Sequence, residues 1–252
     1  MDLKIKERFQ RLWGRYFDDS ELPLVSYYTD EGAADPVRSP SESCLIALLG
    51  RAFKGETLRL SARSVGCPGG RRYTGFTQTM SSDFDYFLSC GIPGKVEGER
   101  YKKSPELVRE TMDSWPAYRA PAKHIVFKRW DLIEENDEPE VVIFFSEPDV
   151  VAGLFTLASF DEAGSNMVIA PFGSGCSTIV MYPYLERKSD HPRCVIGMFD
   201  PSARPHVRAD TFSFAAPMKK FTRMIDNMEE SFLTTPTWDT MLRRIKEDKT
   251  ED

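Results

Sequence analysis

The sequence predicts an α/β fold, a single domain in which a mixed sheet carries flanking helices, with an α+β arrangement as the alternative. Three observations point there: amphipathic helical stripes at both ends of the 252 residues, short β-branched and aromatic runs between them, and strand-to-helix junctions marked by capping residues. No repeat, low-complexity block or linker divides the chain, so one domain is expected over residues 1–252, with the N-terminal and C-terminal helices packed on its core.

Ile5, Phe9, Leu12, Trp13 and Tyr16 fall at helical spacing with charged residues between them, which predicts a docked N-terminal helix. Val25, Tyr27 and Tyr28 mark a strand over 22–28, bounded by Asp18-Asp19-Ser20 and Asp30-Glu31-Gly32. Ser39, Pro40 and Glu42 form a helix start; Leu45, Leu48, Leu49, Ala52 and Phe53 give that helix an apolar face, and Gly55 ends it. Residues 57–62 alternate as a strand, and the glycine-dense Gly66-Cys67-Pro68-Gly69-Gly70-Arg71-Arg72 is read as an irregular loop. A short helix is expected over 81–89, and another opens at Ser104-Pro105-Glu106 and closes at Pro116. Residues 125–127 and 141–145 are strand runs, the second leading through Ser146-Glu147-Pro148-Asp149 into a helix that reaches Phe160. Strand-like residues 167–172 give way to Gly173-Ser174-Gly175-Cys176-Ser177-Thr178 and then to a helix over 179–186, in spite of Pro183. Late strands over 194–199 and 211–215 flank a loop at 200–208. Met218, Phe221, Ile225, Met228 and Phe232 then recur three and four residues apart, a core-packing stripe too short for a coiled coil, and a short helix over 238–245 follows.

Composition excludes several classes of protein. With 41% apolar residues and 12% aromatics the chain has the material for a core, which rules out disorder. A net charge of −6 without a basic block argues against nucleic acid as a partner. The longest apolar runs, such as 141–145, fall far short of the roughly 20 residues that span a bilayer, so no membrane association is expected. Five cysteines are an odd number, and Met1-Asp2-Leu3-Lys4-Ile5-Lys6-Glu7 lacks a signal-peptide core; a reducing, cytoplasmic location without a disulfide framework is the expectation.

Chemistry concentrates in the two glycine loops. A strand feeding a glycine-rich turn at a helix start aims free N–H groups and the positive end of the helix at one point, which suits a phosphate or carboxylate; Gly173, Gly175 and Ser177 are the candidate contacts there. The loop lacks the lysine of a P-loop, and Gly-x-Gly-x-x is half a dinucleotide fingerprint; a packed tight turn is the plainer reading. Cys176, at that helix start, is the candidate nucleophile, its thiolate favoured by the dipole. Of the candidate bases His124, His191 and His206, the last two lie in loops able to reach a site. In the first loop, Gly69 and Gly70 let a ligand approach the backbone, and Arg71 and Arg72 supply forked donors for an anion; Arg204 adds a third guanidinium. Successive cysteines stand 23, 23, 86 and 18 residues apart, which excludes a zinc ribbon. Cys44, Cys67 and Cys176 can still converge in space as ligands for an iron–sulfur cluster or other soft metal. Against this stands the reading of Cys44, Cys90 and Cys194 as small buried hydrophobes.

Several segments together resemble one family. Leu12-Trp13-Gly14-Arg15-Tyr16-Phe17 with Leu22-Pro23-Leu24-Val25, the Cys44 helix ending Gly50-Arg51-Ala52, the Cys67-Pro68-Gly69-Gly70 stretch, and 173–176 followed by Pro183-Tyr184-Leu185 are similar to the prokaryotic family catalogued as domain of unknown function number 169. The resemblance spans roughly residues 5–235. It implies a single cytoplasmic prokaryotic domain, carries no established activity, and draws attention to Cys44, Cys67 and Cys176. It also leads one to expect a further cysteine in a Gly-Cys-Gly-Gly-type stretch before the late arginine, where this chain reads Gly197-Met198-Phe199-Asp200.

The leading expectation is a domain that binds a small anionic ligand or cofactor between the two cysteine-bearing loops. A cysteine-dependent or metal-dependent redox enzyme and a non-catalytic partner in a complex are the alternatives. All of them need stretches 66–72 and 173–178 to fold onto a common cavity.

Overall fold

Strict alternation in the central strands divides their apolar side chains between two faces, and each face then needs a layer of helices to cover it. The computed structural model describes residues 1–35 and 44–248. Its sheet has seven strands: β1 (Leu24–Thr29), β2 (Leu58–Leu60), β3 (His124–Arg129), β4 (Val141–Ser146), β5 (Val168–Ile169), β6 (Cys194–Gly197) and β7 (Phe212–Pro217). They lie in the order β2-β3-β1-β4-β7-β6-β5. All neighbours are antiparallel except β5 and β6, which run parallel with Val168 opposite Cys194. The result is the mixed sheet with flanking helices expected of an α/β protein.

On one face Val25, Val142, Phe144, Phe214 and Ala216 pack beneath α1 (Leu3–Phe17), α6 (Pro148–Ser159), α8 (Met218–Asn227) and α9 (Pro236–Asp248). The N-terminal stripe is the centre of this layer: Phe9, Leu12 and Trp13 are wholly buried, and Trp13 stacks on Phe17 with ring centroids 4.3 Å apart. Asp2 caps α1 by accepting from Lys4 N. The other face carries Leu24, Val141, Ile143, Phe145 and Ala215 beneath α2 (Leu45–Phe53), α3 (Pro68–Tyr73) and the helical segment that follows the second glycine loop.

Several expected elements change shape. The Ser39-Pro40-Glu42 helix start lies outside the described residues; α2 is described from Leu45, with Cys44 at its N-cap. The stretch read as an irregular loop contains α3. Pro68 suits a first turn, and the two glycines cost helix propensity that tertiary contacts repay. The helix over 179–186 is real but begins as a π-helical turn, Ser177–Met181, before α7 (Tyr182–Glu186). Pro183 brings no N–H, and placing it in the first turn of α7 lets the wider turn before it absorb the missing bond. Strand β5 is shorter than expected, and the late stripe breaks: α8 ends at Asn227, leaving Phe232 in a separate 3-10 turn. Two more helices, α4 (Phe84–Phe87) and α5 (Pro105–Asp113), lie in the excursion between β2 and β3; Ser104 caps α5 by accepting from Leu107 N. Among the described residues no helix is long and apolar enough to cross a membrane.

Candidate functional site

Three helical segments on one face of the sheet start at cysteines. Cys44 is the N-cap of α2, Cys67 of α3 and Cys176 of the π-helical turn, and in none of the three does the side chain make a capping hydrogen bond. They lie together: the charges of Cys44 and Cys67 both reach Cys176, and α3 packs on the π-helical turn. The close approach is built by Gly70. A Cβ there would stand 2.7 Å from Val65 Cγ1, 3.6 Å from Leu45 Cβ and 3.8 Å from Cys67 Cβ, so glycine lets the first turns of α2 and α3 touch. Gly175 does the same for the second loop, where a Cβ would come within 2.6 Å of Met198 Sδ and 3.2 Å of Ala203 Cβ. Stretches 66–72 and 173–178 therefore meet on one face of the sheet.

Within this convergence the candidate residues divide. Cys176 is buried, and burial pushes its thiol well above the ordinary range, helped by Cys44, Cys67 and Asp200; a backbone hydrogen bond to it acts the other way and is outweighed. Desolvation thus opposes the dipole-stabilised thiolate expected there. Gly175 N donates to the Asp200 carboxylate, which also accepts from Ala203 N at 2.9 Å and Ser202 Oγ at 2.6 Å. The anion cradle expected at the second loop thus holds the chain's own carboxylate. Ser177 turns its hydroxyl back to Ser174 O at 2.7 Å and is 1% exposed, so it closes the turn, and Gly173 lies against that hydroxyl. Arg204 donates to the carbonyls of Thr211 and Ala209 and lies over the Phe212 ring, clamping its own loop. Arg71 donates to Gly66 O at 2.9 Å, and Gly69 has only ordinary contacts around its Cβ position.

Arg72 is different. It is 7% exposed, its Nη1 has no hydrogen-bond partner, and among the described residues no carboxylate pairs with it. Its guanidinium carbon lies 5.7 Å from the Trp115 ring centroid, and its charge reaches the hydroxyls of both Tyr73 and Tyr182. Tyr73 also feels Cys176 and turns toward Ser174, while the Tyr182 ring approaches Gly173. Arg72 therefore belongs to the same locus as the three cysteines. Burial raises both phenols, Tyr73 most strongly, so both are neutral donors at physiological pH.

The remaining cysteines and histidines lie elsewhere. Cys194 is sealed in the core beside Met224, its thiol pushed up to about 12 by burial, as a small hydrophobe would be. Cys90 is exposed and Cys44 half-buried, which corrects the reading of both as core residues. His191 pairs with Glu162, and His206 lines a separate groove of about 280 Å³ along α2 with Phe53 and Phe145. Among the described residues no three histidine, cysteine, aspartate or glutamate side chains stand so as to hold a metal ion.

Sequence reasoning missed Asp200, Tyr73, Tyr182 and Trp115. For Asp200 a signal was present: an aspartate two and three residues before Ser202 and Ala203 is the pattern of a side chain that binds its own turn. The three aromatic residues carried no such mark.

No curated protein and no solved structure matches this chain. The model of an uncharacterised family, DUF169 (uncharacterised ArCR), matches residues 20–227, a span holding Cys44, Cys67, Arg72, Cys176 and Asp200. The chain belongs to the DUF169 family.

Proposed function

We propose that the chain binds a small anionic ligand or cofactor between its two cysteine-bearing loops, with Arg72 as the counter-charge. The observation that carries this reading is an arginine only 7% exposed, with Nη1 buried and unpartnered, beside two neutral phenols able to donate. Burying a cation without a partner costs several kcal/mol, of order 3–5 when an ion pair is broken, and an anion at this position removes that cost. Asp200 already occupies Gly175 N, so the ligand's charge is met from the α3 side.

Convergence of Cys44, Cys67 and Cys176 favours a second reading, a soft metal or iron–sulfur cluster. As placed, their side chains do not form a metal-ligand set.

Thermal unfolding with rising inorganic phosphate tests the proposal. The chelator-treated protein is expected to gain stability steadily, by about 2.7 kcal/mol at a hundredfold excess over Kd. Arg72→Met should fold with equal or greater stability, since it removes an unpaired buried charge, and should lose the response. An unresponsive wild-type protein, or a response that Arg72→Met retains, contradicts the proposal.

A further inference from the structure

Strands β5 and β6 are parallel, so their C-terminal ends leave the sheet on the same side. In parallel α/β sheets ligands gather at the carboxyl ends of strands, and β5–β6 is the parallel pair of this otherwise antiparallel sheet. Here each of those ends carries an exposed phenylalanine. Phe172, after β5, and Phe199, after β6, are each 55% exposed, more than any other large apolar side chain among the described residues. Each directly precedes part of the candidate site: Phe172 leads into Gly173, and Phe199 into Asp200, whose carboxylate accepts from Gly175 N. Both phenylalanines therefore adjoin the second loop, whose Gly173 lies against the Tyr182 ring that the charge of Arg72 reaches.

A third segment joins them. Lys102 Nζ lies 4.3 Å from the Phe172 centroid, and Tyr101 meets Ser202 on the Phe199 side. This segment is fastened in place: Glu99 N, Arg100 N and Lys102 N donate to the carbonyls of Phe87, Ser89 and Leu88 around the end of α4. Phe199 is backed by Phe212, their centroids 5.3 Å apart, which holds one ring in position with half its surface open. Together these residues offer flat apolar surface and a positive charge next to the second loop. Exposed aromatic surface of this kind costs hydration free energy unless something covers it.

We propose that the ligand is an anion bearing a flat aromatic group, its charge met by Arg72 and Lys102 and its ring held against Phe172 and Phe199. This deepens the anion-binding reading and rests on it. Aromatic contact selects the ligand; the guanidinium supplies the attraction that any small anion feels.

Calorimetric titration of phenyl phosphate and of inorganic phosphate separates the two levels. Wild-type protein should bind phenyl phosphate at least about tenfold more tightly than phosphate. Phe172→Ala and Phe199→Ala, both at exposed positions, should each weaken phenyl phosphate by about three- to tenfold and leave inorganic phosphate unchanged. Equal affinity for the two probes, or a preference that survives both substitutions, overturns the aromatic assignment and leaves the anion site standing. Failure of both probes to bind overturns both.

Discussion

Two side chains set the charge of the site. Asp200 satisfies the N-terminus of the second loop from within the chain, and Arg72 lies over Trp115 with Nη1 unpartnered and, among the described residues, no carboxylate paired with it. The same division decides the cysteines. Cys90 is exposed, Cys44 and Cys67 are half-buried, and Cys176 and Cys194 are buried with thiols pushed upward. Alkylation of the native protein by iodoacetamide near neutral pH should therefore modify Cys90 first, then Cys44 and Cys67, and reach Cys176 and Cys194 only when the protein unfolds. Peptide mapping by mass spectrometry reads the order, and early modification of Cys176 would restore the nucleophile that burial argues against. Cys44, Cys67 and Cys176 stood out in the sequence as candidates, because glycine-rich turns and helix starts announce themselves locally. Burial was not. Whether a helix start stabilises a thiolate depends on how much water remains, and that is set by residues remote in the chain, such as Ile46 and Met198 beside Gly175.

At the level of elements, α3 is the least expected feature and the most instructive. Two consecutive glycines argue against a helix, yet only one is required by packing. Gly69 has room, with its nearest would-be contacts at 3.7 Å or more, whereas Gly70 faces Val65 Cγ1 at 2.7 Å. Gly69→Ala should thus stabilise the protein by about 0.5–1 kcal/mol through helix propensity. Gly70→Ala should destabilise it by about 1–3 kcal/mol through overpacking against a stiff β-branched neighbour. Urea unfolding of the two variants checks the contrast, and a shift of the same sign in both would mean that α2 and α3 do not meet as described. Local signals found α1 and α8 because their apolar periodicity is long enough to read. In α3 six residues are too few for a period, and in the π-helical turn the ordinary spacing itself is broken.

Across the whole molecule, the sheet does the positioning. Alternation in β4 sends Val142 and Phe144 to one helical layer and Val141, Ile143 and Phe145 to the other. The layer holding α2, α3 and the π-helical turn is the one on which the cysteines converge. The division between faces is not visible in so continuous an apolar run as 141–145, but the run itself, the helical stripes at both ends and the capped strand-to-helix junctions are, and so the α/β class was readable. The strand order was not, because pairing of β1 with both β3 and β4 joins segments separated by roughly a hundred residues. Convergence of stretches 66–72 and 173–178 was accordingly a supposition until the sheet order placed them on one face. Hydrogen–deuterium exchange with and without saturating inorganic phosphate tests that convergence and its purpose together. Protection should rise in peptides covering 67–76 and 173–182 at once, in the wild-type protein and not in Arg72→Met. Protection confined to one of the two stretches, or appearing instead along the groove lined by His206 and Phe53, would contradict a shared anion site.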